Sequence, residues 1–319
     1  MAVKTRQFRS NGREPYVFRV DHPGDLFGSH ADLMREAFGP EDRLLYLLYS
    51  PIWEGEEAPF GVRAPSASHA VAVTEDRFIV SEDRHQTGAP ATVLTISFDR
   101  VIEVELGHAL LIGWFALRFV RDGDVVSSSL LFPASTGMLH FAAAIRRYRR
   151  ATQSAPARSS QEGMAWHEVL GATQTLLAST IQTLIVEGER AEHAVLSSET
   201  WSGAARRRKP PVCLSANGIL LLTDCGILHA EEQPPLRPEM LSFGVRAVCI
   251  PRNALRSAHV IERHLSGKPH LFLRLGVGRN SASVQRDVPF AAENSQAVAQ
   301  VLARVVELAA TGGDQGCGS

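Results

Sequence analysis

An internal repeat constrains this chain more than any other feature of its sequence. Thr74-Glu-Asp-Arg-Phe-Ile-Val-Ser-Glu-Asp83 matches Thr223-Asp-Cys-Gly-Ile-Leu-His-Ala-Glu-Glu232. Each segment carries Thr, an acid, two apolar residues, a small residue and two acids in equivalent places. Upstream, Ser50-Pro-Ile-Trp53 matches Ser198-Glu-Thr-Trp201. Downstream, Leu117-Arg-Phe119 matches Leu273-Arg-Leu275, and Pro133 matches Pro289. The order is conserved and the offset drifts only slowly, as expected when loops change length and strands do not. A repeat fixes the unit count without recourse to propensity, and 319 residues suit two compact units.

Both copies share one grammar. A helix leads each, over Ser29–Phe38 with Ser29 as N-cap and Asp32 at N3, and over Ala165–Val186. Strand-like segments follow at Leu44–Tyr49, His69–Val73, Arg77–Ser81, Val93–Phe98, Val101–Leu106, Trp114–Val120 and Val125–Phe132. The second copy offers Ala194–Ser197, Val212–Leu214, Gly218–Leu222, Ile227–Ala230, Val245–Ile250, Ser257–Arg263, His270–Gly276 and Ser283–Val288. Asp122-Gly123 and Ser266-Gly267 mark hairpin turns. Amphipathic helices close the copies. Met138, Phe141, Ala142 and Ile145 line one face of Gly137–Arg150, and Val298, Val301, Leu302, Val305 and Leu308 line one face of Ala292–Ala309. The Ser/Pro/Ala composition of residues 153–163 marks a linker.

Short antiparallel strands capped by a C-terminal helix resemble a pleckstrin-homology-like (PH-like) split barrel. The chain is similar to bacterial tandem proteins of that class over roughly residues 40–150 and 190–310. The expected fold class is therefore α+β: two tandem PH-like split β-barrels, each closed by a C-terminal amphipathic helix, with a helical linker between them. The boundaries run as an N-terminal basic tail (1–27), a first unit (28–152), a linker (153–163), a second unit with its leading helix (164–311) and a disordered tail (312–319). Eukaryotic members of the PH-like class often carry Trp in the closing helix. Here Phe141 occupies the matching region of one copy, and the other has no aromatic there. The resemblance implies docking platforms for phosphoinositide heads, peptides or other subunits, although a fold alone does not specify a function.

Charge and cysteine content narrow the classes. With 33 basic and 34 acidic residues, a global attraction to nucleic acid is not expected, and any attraction to lipid must be local. The four cysteines form no CxxC pair and all fall in the second half, which argues against a disulfide framework and for a reducing, cytoplasmic setting. The first twenty residues carry charge throughout and do not read as a secretory signal. The longest apolar run, His108–Val120, is too short to span a bilayer.

Candidate sites are few. The loop after Trp53, Glu54-Gly-Glu-Glu-Ala-Pro-Phe-Gly61, is acidic, whereas the equivalent loop after Trp201 holds Arg206, Arg207, Arg208 and Lys209. Cations there can meet phosphate oxygens, although most charge runs are solvated loops. Arg146, Arg147, Arg149 and Arg150 end the first closing helix, where they offset its negative terminus and form a second anion or partner candidate. Trp53 and Trp201 read as packing residues. Trp166, Leu170, Leu177, Ile181 and Leu184 follow near-heptad spacing along Ala165–Val186, the pattern of a partner-docking or self-association helix, or of one packed across both units. His264 and His270 flank a turn without a third ligand, so no metal and no cofactor is expected. Glu103 and Glu105 read as an exposed strand face. No nucleophile elbow, phosphate loop or dinucleotide fingerprint occurs. The expectation is a non-catalytic scaffold or adaptor that binds proteins. The alternative is peripheral attachment to anionic lipid at the inner membrane face through the basic loop, assisted by Lys4, Arg6, Arg9 and Arg13.

Overall fold

Both copies of the threonine motif are hairpin turns held by the same hydroxyl device. Thr74 Oγ1 accepts from the Asp76 and Arg77 amides at 3.3 and 3.1 Å and has the Asp76 carboxylate at 2.8 Å and the Arg77 carbonyl at 3.2 Å as acceptors for its one proton. Thr223 Oγ1 accepts from the Cys225 amide at 3.2 Å and donates to the Gly226 carbonyl at 3.0 Å. Both threonines are buried, so each hydroxyl satisfies turn amides that water does not reach.

The computed structural model describes residues 16–52, 67–84, 88–153, 166–171, 175–201, 213–234, 242, 244–265, 268–279 and 281–312. In chain order the first half contains β1 (Phe18–Arg19), α1 (Ser29–Ala37), β2 (Tyr46–Ser50), β3 (Ser68–Val73), β4 (Arg77–Asp83), β5 (Thr92–Ser97), β6 (Val101–Ala109), β7 (Ile112–Arg121), β8 (Asp124–Pro133) and α2 (Ala134–Ala151). Then come α3 (Trp166–Gly171) and α4 (Thr175–Leu184). The second half contains β9 (Ala191–Ser197), β10 (Thr200–Trp201), β11 (Cys213–Ser215), β12 (Gly218–Thr223), β13 (Gly226–Glu232), β14 (Gly244–Pro251), β15 (Leu255–Leu265), β16 (Lys268–Arg279), β17 (Ala282–Phe290) and α5 (Ser295–Gly312).

The protein is a mixed α+β structure built on antiparallel sheets. In each half a four-strand run (β2–β5; β9, β12, β13, β14) precedes a three-strand run (β6–β8; β15–β17) and a closing helix. The halves are not separate sheets. β6 pairs with β14 from Ala109↔Gly244 to Val104↔Cys249, giving one seven-stranded sheet in the order β8-β7-β6-β14-β13-β12-β9.

Three apolar clusters cover the sheets. One joins Phe115, Phe141 and Tyr148 of the first half to Ile219, Leu228, Val245 and Cys249 of the second, roofed by α2 and α4. A second lies on the opposite face of the seven-stranded sheet, where Ile102, Leu220, Ile227 and Val248 meet Leu273, Leu275 and the Val298, Val301 and Val305 face of α5. The third packs Met34 of α1 on Leu47, Ala70 and Ile79.

Two expectations change, and a third is described only in part. Ser29 is not the N-cap of α1. Gly28, with φ 56°, holds that place, and the Ser29 hydroxyl donates to Asp83. Residues from Tyr16 onward are not tail, because β1 pairs with β2 through Phe18↔Tyr49. Of the long helix expected over Ala165–Val186, Trp166–Gly171 and Thr175–Leu184 are helical, and residues 172–174 lie outside the described residues.

Candidate functional site

Helical periodicity splits the arginine run of α2 into two roles. Arg149 lies four residues beyond Ile145 and eight beyond Phe141, on the apolar face. It is 3% exposed, donates to the Leu184 carbonyl at 2.6 Å and forms a fork on the two Glu189 oxygens. Glu189 also accepts from the Val186 amide at 2.9 Å. Burial disfavours the guanidinium charge, but the neighbouring groups, Glu189 first among them, together outweigh it, so the Arg149 pKa is raised. Arg149 is therefore a staple between α2 and the turn after α4, and is withdrawn from the anion-binding candidates. Arg146 donates to the Thr183 carbonyl, satisfying an end of α4 that would otherwise lack a donor.

Arg147 and Arg150 face solvent. With Arg146 they line a shallow cleft of about 180 Å³ whose other walls are Tyr46, Ala143, Val186 and Glu187. Arg19 sits over the Tyr46 ring at 5.7 Å from its centroid, and Tyr46 Oη lies 3.0 Å from His140 Nδ1. Burial raises the Tyr46 pKa, opposed by Arg19, Arg146 and Arg147. The cleft is thus a cationic surface with one carboxylate at its rim, suited to an acidic partner group.

A second cleft, of about 330 Å³, opens where β9 ends and β16 begins. Ser197, Ser198, Thr200 and Ser215 line one side, Glu262 and His270 the other, with Phe272 and Phe290 among its apolar walls. His270 Nε2 is out of contact with solvent and has no hydrogen-bond partner among the described residues. Strands β10 and β11, which frame this cleft, are the stems of the segment carrying Arg206, Arg207, Arg208 and Lys209. Those four residues lie outside the described residues, as do Trp53, the acidic segment after it and the N-terminal cations.

The remaining candidates are dispersed. Leu177, Ile181 and Leu184 are buried in the core shared by the two halves, so they present no docking face. Trp166 and Leu170 lie on α3 with side chains outside the described residues. His264 pairs in register with Pro269, and His270 with Arg263, so the two histidines do not oppose one another. Glu103 is not on an exposed face. It is buried between Arg286 of β17, at 2.9 Å, and Arg118 of β7, at 2.8 Å. Glu105 accepts from the Trp114 indole at 2.8 Å.

Sequence reasoning missed the polar seam between the halves. Arg279 donates to the Val101 carbonyl and to Asn253 Oδ1, at 3.1 and 2.6 Å, and Arg286 grips Glu103. No spacing rule joins residues so far apart in the chain. Glu189, Asp224 and Cys225 also bring three potential ligand atoms within 4.8 Å. Arg149 engages Glu189, and burial with the nearby Glu189 charge pushes the Cys225 thiol up to about 12, so the group belongs to the ion-pair network. No family model, curated protein or solved structure matches this chain.

Proposed function

We propose that this is a non-catalytic docking protein in which two PH-like units, held rigidly together, present surfaces to protein partners within a larger assembly. The supporting observation is the β6–β14 seam, which joins two runs of the same element order into one sheet. A scaffold must hold its docking surfaces at a fixed separation, and a shared sheet with a shared core does so without a hinge. The cationic cleft on α2 is the first surface to test. Proximity labelling from the full chain in its native cell should mark a defined partner set that Arg147→Glu with Arg150→Glu depletes, at unchanged thermal stability. A partner set indifferent to that pair, and to substitution at the cleft beside β10 and β11, would overturn the reading.

A second reading, attachment to anionic membrane through Arg206–Lys209, draws support from the position of the loop stems beside the hydroxyl-lined cleft. Co-sedimentation with anionic vesicles should then weaken with rising salt and with Arg206→Glu plus Arg207→Glu. Absence of sedimentation at low salt would rule it out.

A further inference from the structure

Two hairpins follow one another in the first half, and their turns are built from opposite materials. The β7–β8 turn uses Asp122 at φ 53° and Gly123 at φ 88°, residue types that tolerate a left-handed backbone. The β6–β7 turn places Leu110 at φ 53°, followed by Leu111. Leucine adopts that backbone only at a cost, because its Cβ crowds the following carbonyl. Neither leucine recovers the cost by packing: they are 59% and 71% exposed. A strained turn that also holds two leucines in water points away from folding and toward contact with something else.

The surroundings indicate what that is. Ile112 pairs with Pro133, and the Ala134 amide donates to the Leu111 carbonyl at 2.8 Å, so the tip adjoins the end of β8 and the start of α2. Leu131 on β8 and Leu139 on α2 are also exposed, so half of the eight exposed large apolar side chains among the described residues belong to these converging elements. No Asp, Glu, Lys or Arg occurs in 106–117 or 125–145, in a chain whose charged fraction is 21%. Trp114 stands just behind the tip opposite Leu131, with its indole N–H satisfied by Glu105 at 2.8 Å. His108 and His140 are held below the ordinary histidine range by burial and stay neutral at pH 7. A tip of two leucines requires no preshaped pocket, the uncharged stretches of chain that form it and adjoin it lower the cost of leaving water, and an amphipathic Trp one step behind suits the headgroup level of a bilayer.

We infer that the Leu110–Leu111 hairpin tip inserts into the headgroup–acyl boundary of a lipid bilayer. This extends the membrane reading above but stands on other residues, since the tip needs no anionic lipid. A single apolar anchor gives reversible binding, strengthened wherever a second contact is made.

Co-sedimentation of the full chain with pure phosphatidylcholine vesicles tests it, with the same vesicles containing phosphatidylserine as the second arm. The wild-type chain should partition onto the neutral vesicles, and Leu110→Asn with Leu111→Ser should reduce that partitioning roughly tenfold to a hundredfold. Asn suits the left-handed turn, so the variant should melt no lower than wild type, separating loss of binding from loss of fold. Arg206→Glu with Arg207→Glu should leave neutral-vesicle binding unchanged. Equal partitioning of wild type and the tip variant, or none by wild type on neutral vesicles, would overturn the inference. Binding confined to the anionic arm and abolished by the loop variant would overturn it too, while upholding the loop reading.

Discussion

Arg149→Met should be among the most damaging single substitutions in the chain. It takes the cationic partner from the Glu189 carboxylate, whose side chain is fully buried, and the guanidinium donor from the Leu184 carbonyl. Breaking a buried pair by removing one partner costs about 3–5 kcal/mol, chiefly because a desolvated charge is left behind. An unfolding entropy of about 2.1 cal/mol/K per residue amounts to about 0.7 kcal/mol/K for this chain, so the melting temperature should fall by about 4–8 °C. The assay is a circular-dichroism melt at pH 7, with urea titration as a check on cooperativity. Glu189→Gln is the appropriate partner change, since its amide oxygen can still accept from the Val186 amide. The double variant should lose less than the sum of the singles by at least about 1 kcal/mol. Arg149→Lys should fall between, because one ammonium cannot reproduce the planar fork. A loss below about 1 kcal/mol for Arg149→Met, or strict additivity with Glu189→Gln, would refute the staple.

Burial holds His229 at about 4, below its ordinary 6.5, so the unfolded chain binds a proton between those values that the folded chain refuses. Stability should therefore be complete above pH 6.5 and fall by on the order of 3 kcal/mol toward pH 4; His229→Phe should flatten that part of the pH profile measured by urea unfolding. Gly137→Ala should destabilise by about 1–3 kcal/mol despite alanine's better helix propensity, because the new methyl would overlap the buried Phe132 ring; a raised melting temperature would contradict this. Residues 164–319 expressed alone should fail to unfold cooperatively, since β14 loses β6 and Ile219, Leu228 and Val245 lose α2 and the first-half core. A soluble second half with a sharp melt would show that the shared core is dispensable.

The strand order of both halves was legible in the sequence because alternation and turn residues are local signals. All fifteen segments expected from the pattern contain or overlap a strand, and the threonine motif marks equivalent turns. The sites were less legible. The arginine run on α2 was visible as a cluster, and its helical period already placed Arg149 on the face of Phe141 and Ile145. What sequence could not supply was Glu189, forty residues away in a turn, which converts that inward-facing cation from a liability into a staple. Two leucines in a turn that favours Gly or Asn were equally visible, but only the backbone angle shows that the turn demands a left-handed residue there.

The joining of the halves is the more instructive omission, because part of its signal was present. A sheet with one face in water alternates, and β8, at the edge of the seven-stranded sheet, largely does. The strands nearer its centre do not. Gly218-Ile-Leu-Leu-Leu-Thr223 is buried at every position, β14 at all but Arg246, and β6 at all but Glu105 and its last two residues. Such runs mean that both faces are covered, which an isolated unit with solvent outside its sheet would not require. Glu103 reads together with Glu105 as one exposed strand face because their spacing has period two. With β15–β17 lying over that face, the same spacing buries it, and Arg286 and Arg118 supply the compensating charge. Near-continuous apolar strands and a carboxylate among them are thus two consequences of one cause, a sheet sandwiched between two apolar clusters that each draw on both halves.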